Sequence, residues 1–241
     1  MSSRISPTLK AISLAVVLSF GALAHAADPV TDIMQAANAP YRMALYKTNG
    51  KSQEEAQQAL LQAQQAWNKL STQVGAKPAA PYDRDPAFVA SVAEVSKVYD
   101  QALLEVSAGQ LGTAHNTLER VREVMADMRQ RNHVVVFSDH MNAYHSQMEV
   151  IMIHGNETLA QPKGMLLLTA QAGALTYLAK QLEVQAPADL VKNAEFAGLL
   201  KAVNQSVSNL EAALLNQDLV AIKEATGKLK GPYSKLFAKF G

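Results

Sequence analysis

Four histidines and three methionines crowd one stretch, with Met141, Met148 and Met152 set among His133, His140, His145 and His154. Imidazole and thioether are intermediate to soft ligands, suited to copper and, from opposite sides, to haem iron. Met141, His145, Met148 and Met152 follow the i, i+4, i+3, i+4 spacing of a single helix stripe, with Phe137 and Tyr144 beside them. His133, His140 and His154 are spaced by multiples of seven and lie along one edge of that stripe. A tight turn before the stretch would bring Met125 or Met128 of the preceding helix near His140 and Met141. The candidate ligands are therefore His140, Met141, His145, Met148 and Met152, with Met125 across the turn. The bland alternative is packing: methionine fills irregular helical cores, and a histidine bordering a stripe is commonly a half-exposed amphipathic residue. His145 with Glu149, and His115 with Glu119, are four apart and also read as simple helix-surface pairs. The spacing matches no defined ligand signature.

The elements that must position these residues all read as helix, since Ala, Leu, Gln, Lys, Glu and Met dominate and Gly and Pro gather between segments. Eight helices are expected. The first runs from Pro29 to Thr48, and Ser52-Gln-Glu-Glu55 fits a capping box opening the second. Pro78, Pro81 and Pro86 mark a loop, and Asp85-Pro86 opens the third. The fourth runs from Thr113 to Arg131, and its alternating charges from Glu119 to Arg131 read as an outer, solvated face. His154-Gly155-Asn156 should end the fifth. The last three cover about 164–182, 193–216 and 219–240, the eighth being interrupted at Gly231-Pro232. No Gly or Pro separates the fourth and fifth, but their apolar stripes lie roughly 150° apart around a shared axis. A straight rod could not bury both, so a turn is expected at Arg131-Asn132, with Asn132 left-handed and Ser138 or Asp139 capping the fifth helix.

Residues 87–128 lie over 195–236 without a gap at a shift of 108, placing Phe88 on Phe196, Val95 on Val203 and Leu111 on Leu219. Asn38-Ala39 falls on Asn142-Ala143 at a shift of 104. The expectation is an all-α chain of two similar antiparallel four-helix units, 27–132 and 133–241, made by internal duplication. In length and helix pattern alone each unit resembles the four-helix bundles of periplasmic b-type and c′-type cytochromes, an architectural likeness that brings no function with it.

Residues 1–26 read as a signal peptide, with Arg4 and Lys10 ahead of an apolar run and Ala24-His25-Ala26 at the cleavage site. That run is shorter than the roughly 20 residues of a membrane anchor, so no stable membrane insertion is expected after cleavage. The expected location is the periplasm, where methionine serves copper better than cysteine, because it cannot form a disulfide. Without Arg4 and Lys10, the 22 basic residues become 20 against 21 acidic ones. That near-neutral balance argues against nucleic acid as a partner. The absence of cysteine removes haem-attachment motifs, thiolate metal sites and cysteine nucleophiles. Nucleophile elbows, phosphate-binding glycine loops and zinc-protease helices are absent too, so catalysis is the weaker expectation. Two readings remain: a soft-metal (copper) or haem protein for storage, delivery or sensing, or a periplasmic interaction module whose grooves take a protein or a small apolar ligand.

Overall fold

The computed structural model describes residues 28–241, so the expected leader lies outside the described residues. Within them every regular element is helical and no strand occurs. Asp28 caps α1 (Pro29–Thr48) by accepting from the Thr31 N–H at 2.9 Å. Ser52 caps α2 (Gln53–Val74) by accepting from the Glu55 N–H at 3.2 Å, as the capping sequence requires. α3 (Phe88–Ser107) starts two residues later than Pro86, on a turn in which Asp85 Oδ1 accepts from the Ala87 N–H. The same carboxylate accepts from Arg131 and Asn132, fastening the start of α3 to the end of α4 (Leu111–Arg131).

The expected turn after α4 exists, but the left-handed residue is His133 (φ 56°), not Asn132. The Val134 N–H reaches back to the Arg129 carbonyl, closing the helix end one residue further on. α5 (Phe137–Leu159) opens with Asp139 accepting from the Val136 N–H, so the expected capping aspartate acts from inside the first turn. It then runs through Gly155, which the sequence suggested as its stop. Gly155 is buried against Leu168, so α5 stays regular where it packs on α6 (Gly164–Val184). The helix stops at Leu159, capped at Ala160, and Gly164, which opens α6, sits so close beneath it that a Cβ there would collide with the Thr158 carbonyl oxygen.

A single turn, α7 (Ala188–Val191), precedes α8 (Ala194–Leu215), which Asn193 caps. The last expected helix is two pieces, α9 (Leu219–Gly227) and α10 (Lys230–Phe240). The break at Lys228-Leu229 lies ahead of Pro232, whose missing N–H cannot bond the Lys228 carbonyl four residues back.

In the first half α1 packs on α2, α2 on α3, α3 on α4, and α4 back on α1. In the second half α5 packs on α6, α6 on α8, α8 on α9 and α10, and those two back on α5. One continuous apolar core runs from Val30 to Phe237. The halves meet through α1 with α10 and through side chains between α4 and α5. Arg129, nearly wholly buried, holds Asp139 across that join, with Nε 3.0 Å from Oδ2.

Candidate functional site

Where the two halves meet, a cavity of about 460 Å³ opens among α1, the α1–α2 turn, α4, α5 and α10. Leu45, Tyr233 and Phe237 form its apolar floor, and Asn49, Gly50 and Lys51 of the turn stand exposed on its rim. Its polar wall is built by His115, Glu119 and Arg122 of α4 together with His145 of α5.

His115 is fixed by α1. Its Nδ1 lies 3.0 Å from the Leu45 carbonyl, which can only accept, so Nδ1 carries the proton. Nε2 keeps its lone pair and stands 3.6 Å from Glu119 Oε1. The other Glu119 oxygen pairs with Arg122, whose guanidinium lies over the Phe237 ring at 5.6 Å.

His145 is different. It is only 8 % exposed, and neither ring nitrogen makes a hydrogen bond. Nε2 comes within 3.3 Å of Glu149 Oε1 and 4.0 Å of Glu119 Oε2, close but outside hydrogen-bonding geometry. The ring lies against Tyr233, centroids 5.3 Å apart, and Tyr233 continues the stack onto Phe237. Burial pushes the pKa of His145 down from its ordinary 6.5, against the pull of Glu149, and Arg122 and Lys230 add to the lowering. His115 is lowered for the same first reason, its bond to the Leu45 carbonyl opposing. The contact with His145 lowers Glu149, outweighing that carboxylate's own partial burial. At neutral pH the wall therefore presents two uncharged imidazoles between ionised neighbours.

Of the six residues proposed as ligands from sequence, only His145 lines this cavity. Met141 and Met148 are wholly buried in the core, and Tyr233 donates to the Met141 carbonyl at 3.1 Å. His140 and Met152 are partly buried and do not line it. Met125 lines a separate hollow of about 10 Å³ with Asn38, Ser138 and Asn142, room for a single water. His133 and His154 are exposed. Among the described residues no three His, Asp or Glu side chains are set to hold a metal ion.

The charged outer face expected on α4 needs correction. Arg120 and Glu123 do face solvent, but Arg122 and Arg129 are buried toward α5 and α10. Their spacing held the signal: Leu118, Arg122, Met125 and Arg129 follow the same i, i+4, i+3 stripe as the apolar residues. Tyr46 of α1 is 45 % exposed at the cavity. Lys230, Tyr233 and Phe237 were missed as site residues, because on their own they read only as an apolar helix end. No protein-family model, no curated protein and no solved structure matches this chain.

Proposed function

We propose that this chain is a binding protein that holds a small, partly apolar molecule in the cavity between its halves, without catalysis of its own. The observation that carries the reading is His145, more than nine-tenths buried and unsatisfied at both nitrogens on the wall of a cavity of about 460 Å³. A buried polar group without a partner is costly, and a ligand that supplies the partner removes the cost. The volume lies within the range of pockets that enclose drug-sized molecules, and an apolar floor with few polar groups is their usual make-up.

Native mass spectrometry of the purified protein, compared with its denatured mass, should show a bound small molecule. Failing that, thermal-shift screening of a fragment library should give hits. Ser234→Trp, which fills the cavity from a half-buried position on α10, should abolish both. A protein that binds nothing in either assay, or binds equally after Ser234→Trp, would overturn the reading.

The copper or haem reading has narrower support: two imidazoles line the cavity, and of the six ligands expected from sequence only His145 is there. Adding Cu(I) or haem to metal-free protein tests it. A stoichiometric rise in melting temperature that disappears with His145→Gln would support it, since a ligand bound only by the folded state stabilises it. We propose further that the chain is exported to the periplasm, supported by the basic, apolar and Ala24-His25-Ala26 pattern of residues 1–26. Intact mass of the periplasmic form should begin at Ala27, and a retained Met1 would refute it.

A further inference from the structure

The charges around the cavity go further than its volume. Lys47, Lys51, Arg122 and Lys230 line it against the carboxylates of Glu55 and Glu119. Both carboxylates are already taken. Glu55 holds Lys47 at 2.6 Å, and Glu119 holds Arg122. Lys51 and Lys230 make no ion pair among the described residues and face the same space. One further carboxylate, Glu149, stands behind His145 and does not line the cavity. The lining thus carries two uncompensated positive charges over a floor of Leu45, Tyr233 and Phe237.

Resting on the reading of the cavity as a ligand site, we infer that the ligand is a small monoanionic carboxylic acid with an apolar body. Its carboxylate lies between Lys230 and His145, and its body covers the aromatic floor. A carboxylate accepts up to four hydrogen bonds, and the ammonium of Lys230 and an N–H of His145 are the donors the wall has free. A neutral molecule would leave both lysines uncompensated. A cation would meet their repulsion with no free carboxylate on the lining to receive it.

A second consequence is linkage to protons. The groups facing His145 are Glu119, Arg122 and His115 from α4, Glu149 on its own helix, Lys230 and Tyr233 from α10, and Lys47 and Lys51 beyond them. Adding one anion to this set favours the imidazolium, so binding takes up a proton and tightens as pH falls from 8 to 6.

The test pairs acids with their neutral amides: octanoate with octanamide, and 3-phenylpropionate with 3-phenylpropanamide, titrated calorimetrically into the full mature chain at pH 6 and pH 8. At least one acid should bind, with its amide weaker by about three- to tenfold. Lys230→Gln or Lys51→Gln, neither of which touches the core, should weaken the acid and spare the amide. The preference for pH 6 should vanish in His145→Gln. Equal binding of acid and amide, or binding indifferent to both lysine variants, overturns the anion and leaves the ligand cavity standing. Failure of all four probes also overturns this ligand class. The ligand reading itself fails only if native mass spectrometry and the fragment screen are empty as well.

Discussion

His145 shows how a residue can be found for the wrong reason. Its type and spacing singled it out, but its supposed companions Met141 and Met148 face the core, while its real neighbours come from α4 and α10. A helix stripe gives the angle of each side chain, not which helix will stand opposite it. The imidazole is an uncompensated polar group, so removing it should stabilise the chain. His145→Leu is expected to gain about 1 kcal/mol in urea denaturation while losing the ligand, the trade expected of a site residue. The pH dependence arises from burial. His115 and His145 are held below the ordinary 6.5, so the folded state resists protonation. Their contribution to stability is complete above pH 6.5 and is lost as pH falls through their lowered folded values. Wild-type protein should weaken below that pH, and His145→Leu should weaken less. A steeper loss in the variant would contradict the assignment.

Among the elements, the helices were legible because caps and breakers announce them. Ser52, Asn193 and the residues around Asp85 act near where their types suggest. The errors fell at chain reversals. Asn132 is the better left-handed residue by type, yet His133 takes that conformation, because the Val134 N–H must reach the Arg129 carbonyl. The clearest comparison lies between the turns after α3 and α8. Gly109 (φ 75°) and Gln217 (φ 54°) occupy the same place 108 residues apart. In each the following amide bonds five residues back, Gln110 to Glu105 and Asp218 to Ala213. Glycine adopts this conformation freely and glutamine does not. Gln217→Gly should therefore stabilise by about 1 kcal/mol, read as a raised denaturation midpoint with an unchanged slope. The buried pair across the α4–α5 join should be sensitive to losing either member. Arg129→Met leaves Asp139 without its partner and should cost about 3 kcal/mol, with Asp139→Asn adding less than its single effect when the two are combined.

For the whole molecule, the order of helix neighbours is the same in both halves, and one left-handed turn, Gly109 with Gln217, recurs at the shift seen in sequence. These likenesses support our proposal that the chain is a duplicated four-helix unit, with boundaries 27–132 and 133–241. A circular permutant beginning at 133, its ends at 241 and 28 joined by a short Gly/Ser linker, should fold to comparable stability. An aggregated or molten permutant would count against interchangeable halves. The cavity was illegible from sequence because it belongs to neither half. Tyr41 and His145 correspond at the shift of 104, yet Tyr41 is satisfied by the Leu118 carbonyl at 3.2 Å and His145 is left open. Only the contact of the two halves makes that difference visible.

The break at Lys228-Leu229 bears on time as well as on shape. α10 is short, is separated from α9 by the break at Lys228-Leu229, and carries Lys230, Tyr233 and Phe237 into the cavity wall. Should α10 move as a unit about that break, the lifetime of a complex would be set by how often it opens. Amide protons of residues 233–240 should then exchange with solvent faster than those of α4, and slow together when the cavity fills. Restoring continuity with Pro232→Ala should lengthen residence by slowing both arrival and departure, leaving the equilibrium affinity nearly unchanged.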